Sequence, residues 1–385
     1  MSLNERLTQI QPNAIRAFDA QISDVADILK LTLGEPDFNV PTHIKQAAID
    51  SILVDDSHYA PAAGTQALRE AAVHFLDDRY NLQYDADSQV IVTLGATEGI
   101  YDTITAVVNP GDRVLVPAPN FPLYDPTVVL AGGVPTYVDT SATDFLLTPD
   151  QLRGAIDTYG DQLVAVVLNY PSNPTGATYT SEQLSALADV LRGTDITVIA
   201  DEIYSELVYD GQHTSIAQYL PDQTLVLNGV SKSHAMTGYR IGFVVGPTKL
   251  IRAVGLIHQF AVTSASNPAM AGAAEALGTE AGRQDTLAMK AEYAARRDYL
   301  VKALRELGFA IPQPAGAFYV FAQIPDGLEQ DDVAFSLALA QEGKVAVIPG
   351  SAFGIGGAGY IRLSYAASLA DLQTAVARIA AFITD

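Results

Sequence analysis

The sequence contains no cysteine, which excludes disulfide bonds, thiolate zinc sites and thiol nucleophiles. It also lacks any apolar run close to the roughly 20 residues that a membrane-spanning helix needs. Polar side chains such as Asn4, Glu5 and Asp19 interrupt residues 1–27, so this segment has no apolar signal-peptide core. These absences predict a soluble, cytoplasmic protein that does not bind a membrane.

Basic residues are scarce. Lys and Arg number 22 against 44 Asp and Glu, for a formal net charge of −22. A field of that sign repels nucleic acids and acidic lipids, so neither is an expected partner. The six histidines show no metal-ligand spacing, and no metal site is predicted. We interpret His213 and His234 as surface residues or as neighbours that support a site.

Apolar runs of strand length alternate with helical patterns through the first two thirds of the chain. This alternation predicts an α/β fold with a largely parallel central sheet. Leu68, Ala72, Phe75 and Leu76 share one helix face, and Thr180 begins a predicted capping box. The predicted strands are residues 90–94, 113–116, 163–168, 197–200, 225–228 and 241–245.

The pattern changes at about residue 285, and a chain of 385 residues is long enough for two domains. We predict a large domain of residues 46–285. A smaller α+β domain would combine residues 286–385 with the N-terminal segment 1–45. Its predicted elements are helices over 291–307 and 331–342 and strands over 317–322, 345–348 and 360–365.

The strongest local signal is SKSHAMTGYRIG at residues 231–242, directly after a predicted strand. A lysine at the end of a buried strand is costly unless it is neutralised, and Lys232 would be neutralised by a Schiff base with an aldehyde cofactor. Arg240, where the loop returns to the sheet, suits a phosphate group. A single lysine in such a loop would more often lie on the surface, so the interpretation depends on the other motifs.

Three other motifs precede this one: LGEPDF at residues 33–38, YPSNPTG at 170–176 and ADEIY at 200–204. Together and in this order, the four motifs resemble the class I/II aminotransferases of the aspartate aminotransferase fold. The resemblance runs from about residue 31 to residue 364. It implies the fold type I architecture of pyridoxal-phosphate-dependent transferases, with a mostly parallel sheet in the large domain and a smaller α+β domain.

The same resemblance implies that pyridoxal 5'-phosphate is held covalently by Lys232. It also implies that an amino group moves between an amino acid and a 2-oxo acid such as 2-oxoglutarate. Asp201 follows a strand, where its carboxylate can pair with the pyridine nitrogen, although an acidic helix cap is the plain alternative. Asn173 and Tyr204 would donate hydrogen bonds to the ring phenolate, and Phe121 would stack on the ring. Lys232, Asp201 and Tyr204 are the predicted catalytic residues.

The phosphate would lie at the helix N-terminus after the first predicted strand of the sheet, near Ala96 and Thr97. An ordinary strand-to-helix turn is the alternative for these two residues. Ser231 and Arg240 complete the predicted phosphate site. By the resemblance, Tyr59 reaches the phosphate of a neighbouring subunit, so the active site would be completed only in a homodimer. Phe121 and Tyr59 could equally be packing aromatics.

Arg362 lies in the middle of a predicted strand, where a buried arginine needs an anionic partner. The resemblance implies that Arg362 binds the substrate α-carboxylate, near the backbone of Gly34 and beside Asn173. A structural salt bridge is the alternative. Gly229 and Tyr239 depart from the family pattern, in which many relatives have serine and tryptophan, and this leaves the details of phosphate binding open.

The chain looks especially like bacterial N-acetyl-LL-diaminopimelate aminotransferases of lysine biosynthesis. Aromatic and aspartate aminotransferases, and a carbon–sulfur β-lyase on the same scaffold, remain alternatives. A cofactor-sensing transcription regulator is disfavoured because only about 30 residues precede the first motif and no basic patch is present. GIGGAG at residues 354–359 matches a dinucleotide-binding pattern, but a strand is predicted after it instead of the required helix, so that function is rejected.

Overall fold

A computed structural model describes residues 3–384, in which helices and strands alternate as the apolar runs predict. The strands are β1 (Leu29–Lys30), β2 (Val90–Thr93), β3 (Arg113–Ala118), β4 (Val134–Asp139), β5 (Leu163–Asn169), β6 (Thr197–Asp201), β7 (Thr224–Gly229), β8 (Gly242–Val245), β9 (Tyr319–Gln323), β10 (Val345–Ala346), β11 (Ile348–Pro349) and β12 (Tyr360–Ser364). The α-helices are α1 (Ala14–Gln21), α2 (Thr42–Leu53), α3 (Gln66–Tyr80), α4 (Gly95–Val107), α5 (Tyr124–Ala131), α6 (Pro149–Tyr159), α7 (Ser181–Leu191), α8 (Val230–Ser233), α9 (Thr248–Ala261), α10 (Asn267–Gly278), α11 (Glu280–Glu306), α12 (Asp332–Gln341) and α13 (Leu369–Thr384).

Seven strands form the central sheet in the order β2-β8-β7-β6-β5-β3-β4. The pairings are parallel except those of β8, which runs antiparallel to both neighbours. Val166 and Leu168 of β5 enter one apolar core, whereas Ala165 and Val167 enter another. Both faces of the sheet are therefore covered, as expected where parallel strands are connected by helices. The predicted α/β class with a mostly parallel sheet is confirmed.

Local capping explains where several helices begin. Thr180 accepts a hydrogen bond from the backbone of Gln183, whose side chain accepts one from the Thr180 backbone, so the predicted capping box at the start of α7 is confirmed. Thr148 and Gln151 form the same arrangement at α6.

Two predicted elements differ from the structure, and one strand of the central sheet was not predicted. Helix α11 begins at Glu280, well before residue 291, because Thr279 caps a polar first turn that has no clear apolar stripe. Strand β4 was not predicted, since it lies at the edge of the sheet and only one of its residues is buried. The predicted strand over 345–348 is divided, because β10 pairs with β1 whereas β11 pairs with β12.

The N-terminal segment packs against the C-terminal part of the chain. Leu29 pairs with Val345, and Arg378 binds the Asp27 carboxylate at 2.9 Å. A smaller sheet in the order β11-β12-β9 lies in this region. The domain boundaries stay a prediction, and residues 1, 2 and 385 of the predicted small domain lie outside the described residues. Among residues 3–384, no helix is both long and apolar enough to cross a bilayer, and the cytoplasmic location also stays a prediction.

Candidate active site

A cavity of about 380 Å³ lies where β5, β6 and β7 end. The carboxyl edge of parallel strands is the usual place for ligands in open α/β sheets. The structure brings eleven of the twelve predicted site residues to this cavity. They are Gly34, Ala96, Thr97, Phe121, Asn173, Asp201, Tyr204, Ser231, Lys232, Arg240 and Arg362.

Lys232 lies on α8, the single helical turn that follows β7. Its amine donates a hydrogen bond to the Gly34 carbonyl oxygen, and Nζ is 5.8 Å and 5.6 Å from the ring centroids of Tyr204 and Phe318. Loss of hydration lowers the pKa of the Lys232 amine to about 8. A larger share of this amine is therefore neutral near pH 7 than of an ordinary lysine, as a nucleophile or base requires.

Asp201 is the last residue of β6 and is buried. Its Oδ2 accepts a hydrogen bond of 2.6 Å from the Tyr124 hydroxyl, and its Oδ1 accepts one of 3.3 Å from the Ile203 backbone. Burial raises the pKa of Asp201 to about 6, although the Tyr124 hydrogen bond lowers it. The carboxylate is thus largely ionised at pH 7 and faces the cavity that Lys232 also lines.

Arg362 on β12 is 2% exposed and has no carboxylate partner among the described residues. Nη1 donates to the Asn173 side-chain oxygen at 2.9 Å and Nη2 to the Thr32 carbonyl at 2.7 Å, while Nε has no partner within residues 3–384. The guanidinium also lies 4.5 Å from the Tyr319 ring centroid. The predicted requirement for an anionic partner is therefore not met by a protein side chain, so a structural salt bridge does not explain this buried cation.

The predicted phosphate site depends on close backbone approach. Gly95 begins α4 with φ +74°, and a Cβ there would lie 2.6 Å from an Arg240 guanidinium nitrogen. A Cβ on Gly242 would lie 2.5 Å from the Ala96 nitrogen. Glycine at both positions lets β8 and Arg240 approach the N-terminus of α4, where backbone N–H groups and a positive dipole favour an anion.

Tyr59 is the predicted site residue that the structure does not bring to this cavity. Its side chain is 90% exposed. The Asn267 side chain donates hydrogen bonds to the carbonyl oxygens of Asp56 and His58, which ties the Tyr59 loop to the start of α10. The loop therefore projects Tyr59 away from its own cavity.

Sequence reasoning missed several residues that line the cavity. Asn169 could have been identified, since a polar residue directly follows a predicted strand there. Tyr124 and Tyr319 carried no signal that distinguishes them from core aromatics. Thr32 and Arg16 also line the cavity without any motif that marks them.

Of the two alternatives for His213 and His234, the surface position is wrong, whereas a supporting position beside the site agrees with the contacts of His213. His213 is buried, and its Nε2 lies 2.8 Å from Glu202, which also accepts hydrogen bonds from Tyr170 and Ser215. These hydrogen bonds hold the side chain of Glu202, which directly follows Asp201 in the chain. His234 is buried between Ser233 and Thr286. Neither histidine lines the cavity.

A second group of ionisable side chains lies between α4 and α9. His258 Nδ1 is 3.1 Å from Glu98 Oε1 and 3.7 Å from Asp102 Oδ2. Burial raises the pKa of Asp102 to about 7. These three groups are close enough to hold a metal ion, and sequence spacing could not reveal this because His258 and Glu98 are 160 residues apart. The absence of a metal site stays a prediction.

The Gly354 to Gly359 segment follows a 3-10 helix and leads into β12, so no helix begins there. The strand predicted after this segment is therefore confirmed, and the helix that a dinucleotide-binding motif requires does not follow it.

Comparison with known proteins places these features in a wider group. Residues 26–379 match the family model described as "Aminotransferase class I and II". The chain is 40% identical to a probable N-acetyl-LL-diaminopimelate aminotransferase of Bacillus subtilis, over 99% of this chain and 95% of that one. A single mutant of Thermus thermophilus aspartate aminotransferase has a TM-score of 0.94 at 36% identity, covering 99% of this chain and all of that one. The Pyrococcus horikoshii aromatic aminotransferase has a TM-score of 0.89 at 36% identity, covering 95% and 98%.

Proposed function

This chain belongs to the class I and II aminotransferases, which use pyridoxal 5'-phosphate. From that premise we propose that it catalyses the reversible transfer of an amino group from N-acetyl-LL-diaminopimelate to 2-oxoglutarate. The main support for these roles is that one cavity is lined by Lys232, Asp201, Arg240 and Arg362. The relative with diaminopimelate in its name supports the choice of substrate.

The residues fit the cofactor. Lys232 provides an amine with a lowered pKa, Asp201 provides a buried carboxylate for a protonated pyridine nitrogen, and Arg240 with the start of α4 provides a phosphate site. When bound, pyridoxal phosphate supplies an electron sink that makes the α-hydrogen of an amino acid acidic.

The chain itself binds and orients the substrate and moves the proton. Arg362 Nε, which has no partner among the described residues, is free to bind the α-carboxylate with its neighbouring nitrogen. Asn173 holds the guanidinium in place from the other side. With the substrate α-carboxylate held by Arg362, the Lys232 amine would accept the α-proton and donate it to an atom near the α-carbon. An amine with a pKa of about 8 can act as this base near neutral pH.

Tyr204 lies beside Lys232 and can affect the charge that develops during the reaction. Its hydroxyl is 2.8 Å from that of Tyr319, and its ring packs beside the Lys232 amine. A buried phenol with a high pKa stays protonated and can donate a hydrogen bond to a developing negative charge. We assign this role to Tyr204 and ring stacking to Phe121.

A panel of amino donors with 2-oxoglutarate tests the substrate. We expect N-acetyl-LL-diaminopimelate to give the highest kcat/KM, at least about 10-fold above aspartate, phenylalanine and tyrosine, which corresponds to 1.4 kcal/mol of transition-state binding. Glutamate formation would be measured directly. No turnover of the N-acetylated donor would remove this substrate, and a preference for aspartate or aromatic donors would favour the functions named for the other relatives. Release of pyruvate, ammonia and a thiol from a thioether amino acid would instead favour a β-lyase.

We also propose that the active site is completed in a homodimer. Tyr59 is held by its loop yet exposed, and large apolar side chains are also exposed at the end of α2 and on α9, including Leu53, Val54 and Phe260. Exposed apolar side chains of this size are typical of an interface when they form one patch.

Mixing two defective proteins tests this proposal. Chains with Tyr59→Ala and chains with Lys232→Ala, unfolded together and refolded, would form mixed dimers in which one of the two sites has both residues intact. We expect the mixture to show more activity than the sum of the separate proteins. Equal activity in mixture and sum, with dimers confirmed by sedimentation, would place Tyr59 outside the neighbouring site.

A further inference from the structure

One cation at the cavity has no role in the function proposed above. Arg16 lies in the first turn of α1, where the Asn13 side chain accepts a hydrogen bond of 3.1 Å from the Arg16 backbone nitrogen. Asn13, Ile15 and Arg16 all line the cavity that contains Lys232 and Arg362. The cap fixes the local conformation of the first turn of α1, from which the exposed Arg16 side chain contributes to the cavity lining.

The other charged groups of the cavity have partners or roles. Lys232 and Arg240 are assigned to the cofactor, and Arg362 to the α-carboxylate. Asp201 accepts the Tyr124 hydrogen bond, and Glu35 accepts one of 3.1 Å from Thr237 Oγ1. These are the charged side chains, besides Arg16, among the described residues that line the cavity.

The Arg16 guanidinium makes no hydrogen bond and no ion pair with any residue of the described range 3–384. Acidic residues outnumber basic ones, 44 against 22, yet no acidic side chain of the described range pairs with Arg16. A guanidinium matches a carboxylate with two parallel hydrogen bonds. Apart from Arg240, which is assigned to the phosphate, the cavity thus offers the buried Arg362 and the exposed Arg16, each able to bind a carboxylate.

We infer that Arg16 binds the distal carboxylate of dicarboxylic amino acids and 2-oxo acids, while Arg362 binds the α-carboxylate. This inference rests on the proposed function and names the chemical class that the site selects: substrates with a carboxylate at both ends. Because Arg16 is exposed and unpaired, it loses no internal contact when an uncharged side chain enters. Arg16 therefore affects only the dicarboxylic substrates.

Kinetics of Arg16→Gln test the inference. We expect kcat/KM to fall about 10- to 100-fold for glutamate and 2-oxoglutarate, mainly through KM, because a charge-assisted hydrogen-bonded pair is lost. Values for phenylalanine and phenylpyruvate should change less than about threefold. Arg16→Lys, which keeps the charge but not the paired geometry, should lie between the two. The matched control is Arg192→Gln, which removes one exposed arginine directly after the last residue of α7. It should leave kcat/KM unchanged for both substrate classes.

Equilibrium binding provides a second readout that does not need turnover. Calorimetry of the holoenzyme should show weaker binding of succinate to Arg16→Gln than to the unmodified chain, with equal binding of 3-phenylpropionate. Equal losses for both ligand classes, or no loss for either, would overturn the role of Arg16. If the unmodified enzyme transaminates no amino acid yet Arg16→Gln selectively loses succinate, the proposed function fails and the distal-carboxylate site stands.

Discussion

Replacing Lys232 by alanine is expected to abolish transamination, with a fall in kcat of at least about 10⁴-fold. The amine is the group that would hold the cofactor aldehyde and carry the proton, and a positioned base alone contributes about 10²- to 10⁴-fold. Glutamate-dependent turnover and the visible absorbance of the purified protein measure the effect. The absorbance band of the lysine-bound cofactor should disappear even when pyridoxal phosphate is added in excess.

Lys302→Ala is the matched control, because the Lys302 side chain is 78% exposed on α11 and its one ion pair within residues 3–384 is with Glu306, at 4.0 Å. It should keep normal turnover and the normal spectrum. Thermal unfolding of both variants separates loss of chemistry from loss of folding. Near-normal turnover by a folded Lys232→Ala protein would refute the assignment of this lysine.

Changing Asp201 to asparagine is expected to lower kcat by about 10²- to 10⁴-fold. Asparagine keeps the shape of the side chain and an oxygen for the Tyr124 hydrogen bond, but it removes the negative charge opposite the pyridine nitrogen. Loss of one partner of a buried charge pair costs about 3–5 kcal/mol, and the same energy in the transition state gives this range. Single-turnover kinetics with glutamate would isolate the chemical step from product release.

Asp201→Glu keeps the charge and should retain more activity than the asparagine variant. Asp150→Asn, whose side chain is 94% exposed on α6, makes the same chemical change outside the cavity and should behave as the unmodified enzyme. If Asp201→Asn and Asp150→Asn had the same kcat, the carboxylate would have no electronic role.

Much of the site could be predicted because its residues directly follow apolar runs. Asp201 is the last residue of β6 and Lys232 follows β7, and neighbouring parallel strands end at one edge of the sheet. Interactions between residues close in the chain were also predictable, as in the capping box of Thr180 and Gln183. Strand β4 was not predicted because an edge strand needs little apolar sequence, and only Thr136 of its residues is buried.

Local sequence patterns were sufficient to predict the α/β alternation, the order of the motifs and the chemical types of Lys232, Asp201 and Arg362, since these depend on residues close together in the chain. Contacts between side chains that are distant in the chain became visible only in the folded protein. Arg362 and Asn173, 189 residues apart, share a hydrogen bond, and Tyr124 contacts Asp201 across 77 residues. Arg16 has no motif at all, and its place at the cavity follows from how α1 packs. Such contacts form when separate helices and strands bury their apolar faces together, so a local sequence pattern cannot predict them.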